Sequence, residues 1–545
     1  MTMRITMTQA RLGEAGAVLA LGQTYTVSDA FGAEMVGKRF ASDTDGVLLP
    51  PQTANPVSSD PQRGLVVGSG SSVSGGGGTP IVVTGTPGVG NVLTASFPMG
   101  TGAVKWQRLI GSTWTDIAGE TALTYTQVVA DAPGVRPVAT AYTPFGAATT
   151  FPGPSVYLGN FAGQVLTMTD RAGSGSGTQS MSRSRHRARA AVSFVQIAIP
   201  NWVVLHSNFT ETAGNGPATV EAAIEYPIGT TSTRFKWSTA NSTVIPAGET
   251  SALSDKLAIA LPKNAEFMIR IYWTCPNGLI WQSSPSGGFY PLVNDTARGE
   301  GYVYAVSGLA NTVTGVGAVS GGTSGGDGIR FGPCAIVSDI VEPTIGIIGD
   351  SRTTGASDSY GDATGDLGVV ARSIGPNFGY IHVGKHSDGA DKFIASSTRR
   401  RELMQYVSHI ICEYGINDVV GAGRTWTQLQ ASLNTIHGYF PDKPVWQTTL
   451  NPWTTSSDSW ATTAGQTKGA WATRYDEVNA GIRAGGVGAG RVFDIASIAE
   501  SAIGSGLWRV NGTANYATND GAHETFAMNI LIKNSGIIPA SAFTR

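Results

Sequence analysis

The sequence predicts a multidomain chain: an α/β doubly wound domain over residues 341–545, preceded by β-sandwich modules. Three observations predict it. After Pro343, short apolar, β-branched runs alternate with stripes of apolar residues at three- and four-residue spacing, the strand–helix repetition of a parallel sheet. Between residues 80 and 340, short strand-like segments separated by turn residues dominate. A length of 545 residues implies several domains of about 100–200 residues each.

Residues 1–42 form a small unit. Gln23-Thr24-Tyr25-Thr26-Val27 alternates like a strand, and Ser28, followed by acidic residues and an apolar period, reads as a capped helix through Val36. A unit this small rarely stands alone. Residues 43–79 are rich in proline, glycine and serine and close on four glycines at 75–78, the composition of a flexible linker. Residues 80–157 carry the strand-like Pro80–Thr84, Val92–Ala95, Val104–Gln107 and Leu123–Thr126 and resemble an immunoglobulin-like sandwich without its cysteine pair. Trp106 takes the central-strand position and Tyr125 the late-strand corner, and a spacer role is the favoured reading.

Residues 158–340 are again β-rich, with strand-like runs at Val192–Ile197, Val220–Tyr226 and Glu266–Trp273, and a jelly-roll-like sandwich fits them best. Trp237, Tyr272, Trp273 and Trp281 are either sugar-stacking aromatics or core. Arg183, Arg185, Arg187 and Arg189 alternate, so on a strand they share one face. That face is either a clamp for an anionic polymer or, the preferred reading, an edge strand protected by charge.

In the C-terminal domain, Thr344–Ile348, His409–Tyr414, Val445–Leu450 and Arg491–Ile495 read as strands. Trp426, Leu429, Leu433, Ile436 and Phe440, and then Trp471, Tyr475, Val478 and Ile482, are helical stripes facing a sheet.

Three separated stretches carry chemistry. Gly349-Asp350-Ser351-Arg352 ends the first strand, where parallel sheets open a ligand crevice, and the glycine permits the tight turn that exposes the hydroxyl. Gly415-Ile416-Asn417-Asp418 follows another strand and places a side-chain amide near that crevice, a donor suited to an oxyanion. Asp520-Gly521-Ala522-His523 offers an imidazole with a carboxylate three residues before it. A serine hydroxyl attacks well only when an imidazole takes its proton, and the imidazole works best when a carboxylate fixes its tautomer. Taken singly, the first two stretches are more simply turns. Of the other six histidines, His186 lies in the arginine run, His206 in the middle module and His437 on a predicted surface helix, while His382, His386 and His409 flank strands without that partner.

Together these blocks make residues 343–545 resemble an SGNH/GDSL-type hydrolase, a flavodoxin-like doubly wound fold. The resemblance implies Ser351 as nucleophile, His523 as base with Asp520, and an oxyanion hole from the Ser351 and Gly389 N–H groups and the Asn417 amide. Gly384 competes with Gly389 for the glycine block. Arg352 stands where the family usually has an apolar residue, which bears on pocket polarity and not on the triad. The resemblance further implies an esterase needing no metal or cofactor, acting on O-acetyl groups of a surface polysaccharide. The alternative is an adhesive fibre protein whose hydrolase fold only binds glycan. Residues 1–42 weakly resemble amino-terminal segments of phage structural proteins, which makes virion or tail proteins the expected partners; self-association is a further option.

Charge and composition narrow the classes. With 36 basic and 38 acidic residues the net charge is −2, which indicates no nucleic-acid partner. Cys275, Cys334 and Cys412 match no zinc or redox spacing, with a Cys275–Cys334 bridge left open. The amino terminus lacks a signal-peptide stretch and no run of about 18 apolar residues occurs, so the expectation is a chain that does not insert into membranes and reaches a virion or an extracellular surface by association.

Overall fold

In a computed structural model the chain forms two compact units, Met1–Gly78 and Thr79–Arg545. The structure describes residues 2–7, 11–12, 18–19, 24–28 and 41–43 of the first, and residues 82–84, 92–96, 103–110, 113–128, 131, 134–142, 148–152, 157–163, 165–166, 170–172, 177–283, 295–326, 329–359 and 364–544 of the second. In the first unit Thr2–Met7 is the middle strand of an antiparallel sheet between Thr24–Ser28 and Ala41–Asp43. Ser28 is a strand residue paired with Thr2. The helix predicted after it and the linker from residue 44 onward lie outside the described residues.

At the start of the second unit, a three-stranded antiparallel sheet (Val82–Thr84, Val92–Ser96, Thr124–Thr126) and a four-stranded one (Ala103–Ile110, Thr113–Asp116, Val135–Tyr142, Ala148–Pro152) share a core. Trp106 is fully buried at its centre and stacks on Tyr125 with ring centroids 5.2 Å apart. The Tyr125 hydroxyl donates to the Asp131 carboxylate at 2.8 Å, satisfying its polar end inside the core.

The next region is built on a four-stranded and an eight-stranded antiparallel sheet. In one, Gln179–Ala188 runs between Glu266–Thr274 and Gly301–Ala305, paired on both sides. The arginine run therefore lies on an interior strand, and the edge-strand reading is corrected. Its charges are paired with acidic side chains inside the domain. Arg183 is buried on Glu225, Arg185 and Arg187 share Glu266, and the buried Arg189 reaches Asp366 at 2.8 Å. An open clamp is thus not what this run forms. Trp237, Trp273 and Trp281 are buried in the core and Tyr272 is partly buried, its hydroxyl on the Leu309 carbonyl, so the three tryptophans offer no ring face to a sugar. Cys275, Cys334 and Cys412 are all buried and unbridged.

The C-terminal domain carries an all-parallel sheet of β1 (Thr344–Ile348), β2 (Gly379–His382), β3 (His409–Cys412), β4 (Val445–Thr448) and β5 (Val492–Phe493). Their spatial order is β2-β1-β3-β4-β5, with Val165–Leu166 added parallel to the outer side of β2. Because alternate residues of a strand face opposite ways, Ile348, Ile410 and Cys412 pack with Leu429, Leu433, Ile436, Val478 and Ile482 in one cluster. Ile345, Ile347 and Ile411 pack with Val370, Ile374, Met528 and Ile532 in the other. Helices Trp426–Gly438 and Ala472–Arg483 thus cover one face, and Val369–Ile374 and Phe526–Ser535 cover the other. The first cluster continues into the preceding β-region, and Arg189–Asp366 bridges the same junction. The chain passes from β1 to β2 on one side and then to β3 on the other, so the order of strand addition reverses beside β1. That switch point opens a crevice at the carboxyl ends of β1 and β3. Among the described residues no helix is long and apolar enough to cross a membrane.

Candidate active site

Ser351 follows β1 in a tight turn held by Thr354 N–H on the Asp350 carbonyl and Ala356 N–H on the Ser351 carbonyl at 2.9 Å. Gly349 serves this turn through space: a β-carbon there would crowd the Thr353 side chain and Cβ of Glu413. The serine is 6% exposed, so its hydroxyl stands at the floor of the crevice.

The loop Thr518–His523 brings the imidazole to it. His523 Nε2 lies 2.8 Å from Ser351 Oγ, and His523 Nδ1 lies 2.6 Å from Asp520 Oδ2. Burial opposes ionisation of Asp520, but the His523 hydrogen bond and charge and the N–H groups of Ala522 and His523 outweigh it and pull the carboxyl down to about 2. An ionised carboxylate only accepts, so Nδ1 carries the hydrogen and Nε2 presents its lone pair to the serine hydroxyl. The loop is clamped from outside as well. Thr454 N–H and Trp508 Nε1–H both donate to the Gly521 carbonyl, at 3.0 and 2.9 Å.

Asn417 lies in the first turn of the short helix Ile416–Val420 after β3. Its Nδ2 donates to the Asp388 carbonyl at 2.8 Å, tying the loops after β3 and β2 together. An amide nitrogen has two hydrogens, and this bond uses one. The two candidate glycines are placed differently from a ready oxyanion donor. Gly389 N–H donates to Asp388 Oδ1 at 2.9 Å, and Gly384 N–H to His382 Nδ1 at 3.2 Å. Asp388 is fixed by Arg400 Nη1 and the Tyr414 hydroxyl, both at 2.8 Å.

Several neighbours were not legible as site residues. Arg352, expected from sequence to bear on pocket polarity, is 2% exposed with its guanidinium on main-chain carbonyls. His386 is buried close enough to His523 to feel its charge; burial, Lys385, His206 and His523 push it down to about 2. His437 is buried on Gln447 and not on a surface. The Asp350 and Glu413 side chains sit beneath the serine turn, fully or nearly buried. Only their positions immediately after strands could have marked them. Among the described residues no cluster of His, Cys, Asp and Glu suits a metal ion.

No family model and no curated protein matches the chain. Solved structures similar to it include a lipase/acylhydrolase from Enterococcus faecalis, 18% identical over 37% of this chain and 96% of that one with a TM-score of 0.27. A carbohydrate acetylesterase from Sinorhizobium meliloti is 14% identical over 37% of this chain and 99% of its own, with a TM-score of 0.27. The M. smegmatis aryl esterase is 15% identical over 37% of this chain and all of its own, with a TM-score of 0.27.

Proposed function

We propose that the chain is a serine ester hydrolase. The observation that carries this reading is the unbroken hydrogen-bond series Ser351 Oγ, His523 Nε2, His523 Nδ1, Asp520 Oδ2 at 2.8 and 2.6 Å. In the acylation step His523 Nε2 takes the serine proton as Oγ bonds to the acyl carbon. Collapse of the tetrahedral intermediate breaks the ester C–O bond, and the same proton passes to the departing alkoxide. Water repeats the sequence and frees the acid. The Ser351 N–H and the second Asn417 N–H hold the oxyanion; Gly389 joins them only by releasing Asp388.

The finer reading is removal of O-acetyl groups from a cell-surface polysaccharide by a virion- or tail-associated protein. It is supported by the β-regions fused to the catalytic domain, read as an immunoglobulin-like spacer and a jelly-roll-like module, and by the separate amino-terminal unit, read as a docking element. Deleting residues 1–42 should then abolish incorporation into a particle while esterase activity persists; a truncated chain that still assembles refutes that role.

The test of the enzyme is Ser351→Ala. It should abolish p-nitrophenyl acetate turnover and acetate release from acetylated capsular polysaccharide without moving the melting curve. Glycan binding by the parent chain with no acetate release from any substrate favours the adhesive-fibre reading instead.

A further inference from the structure

We propose that Arg352 is a positioning residue that holds the catalytic histidine against the nucleophile; this rests on the reading of Ser351 and His523 as an ester-hydrolysis pair. Its guanidinium donates to three main-chain carbonyls from two loops. Nε reaches Ala522 at 3.0 Å, Nη1 reaches Asn451 at 2.7 Å and Nη2 reaches Pro452 at 2.8 Å. Ala522 immediately precedes His523, and Arg352 immediately follows Ser351. One side chain therefore joins the backbone beside the serine to the backbone beside the imidazole, with the loop after β4 as the third anchor.

The choice of residue follows from this geometry. Three carbonyls converge on a planar fork, which a guanidinium matches and an ammonium does not. A guanidinium among neutral carbonyls also needs compensating charge, and Glu524, directly after His523, lies 3.8 Å from Nε. Glu524 is itself fixed by Asn451 Nδ2 at 2.7 Å, so the loop bearing the histidine is gripped on both sides of that residue. Behind the serine, Asp350 Oδ1 accepts the Arg352 N–H at 3.0 Å, which locks the start of the arginine side chain to the nucleophile turn. Freed of these ties, the His523 loop retains its bonds to Thr454 and Trp508 but loses the main-chain anchor that backs the His523–Ser351 hydrogen bond.

Displacements of about 1 Å at a catalytic pair cost on the order of 100-fold in rate. Arg352 is buried with its guanidinium on main-chain carbonyls, so the loss belongs in kcat. The experiment compares Arg352→Lys, Arg352→Ala and Ser351→Ala in the full chain, with p-nitrophenyl acetate kinetics and melting curves for each. Both arginine variants should fold and lose roughly 100-fold in kcat with KM unchanged. Added guanidinium ion, kept at low millimolar concentration, should restore a large part of the Arg352→Ala rate and none of the Ser351→Ala rate. A folded variant with kcat near the parent value, a loss confined to KM, or a folded Arg352→Ala that guanidinium does not rescue overturns the proposal. So does failure of both arginine variants to fold, which makes Arg352 an ordinary stability residue. Full activity in Ser351→Ala instead overturns the underlying hydrolase assignment.

Discussion

Asp520 grips His523 twice, accepting the ring Nδ1 hydrogen on Oδ2 at 2.6 Å and the His523 backbone N–H on Oδ1 at 2.9 Å. Ring and backbone are therefore fixed by one carboxylate within a three-residue span. Asp520→Asn keeps the shape but offers a hydrogen where the ring also offers one, so the imidazole is driven to the wrong tautomer. We expect kcat to fall by about 10⁴-fold with little change in melting temperature. Steady-state kinetics check this, and a loss under about 10-fold contradicts the role given to the carboxylate.

Gly521 sits between these two residues with φ of +82°, and a β-carbon there would collide with the Thr454 carbonyl oxygen. Both the left-handed backbone and the lack of space demand glycine. Gly521→Ala should displace the histidine and lower kcat by about 100-fold or more, read by p-nitrophenyl acetate turnover on a chain whose circular dichroism remains that of the parent.

Asp350 gives a pH prediction. Burial, aided by Glu524 and opposed by Arg352, pushes its carboxyl up to about 7. The unfolded chain ionises near the ordinary value of 3.8, so between about pH 4 and 7 the folded state holds a proton that the unfolded state has lost. Its contribution to stability therefore declines as pH rises through that window and is level above it. Asp350→Asn keeps an oxygen for the Arg352 N–H and cannot ionise. Calorimetry should show its melting temperature declining less steeply than the parent's between about pH 5 and 7; parallel curves contradict the prediction.

Glu225 is the hinge of the arginine strand. It accepts from Arg183 Nε and Nη2 at 2.8 and 2.7 Å and from Arg270 Nη1 at 3.3 Å, with all three side chains buried. Glu225→Ala leaves two buried guanidiniums without their shared partner and should cost about 3–5 kcal/mol in denaturant unfolding. A cost below about 1 kcal/mol indicates that water or another acid replaces it.

The parts of this fold legible in sequence are those set by local pattern. The stripes Leu429, Leu433, Ile436 and Tyr475, Val478, Ile482 became buried helix faces because period 3.6 needs no distant information. Ser351 and Asn417 lie past strand ends because apolar β-branched runs define those ends. What sequence left hidden depends on partners far along the chain. Arg183 finds Glu225 42 residues on, and Arg189 finds Asp366 177 residues on, so alternation alone could not show that the face is paired with acids. Arg352 gave no sign of reaching Ala522, 170 residues away. The tryptophans at 237, 273 and 281 carry the same residue type whether core or platform, and only packing distinguishes the two.

Ser351 as the activated nucleophile is what every catalytic role above depends on. Treatment of the full chain with a fluorophosphonate, followed by peptide mass spectrometry, tests it most directly. One adduct is expected, on the peptide carrying Ser351, lost in Ser351→Ala and strongly slowed in Asp520→Asn. A folded chain that takes up no label, or takes it on another serine while Ser351 stays unmodified, contradicts it.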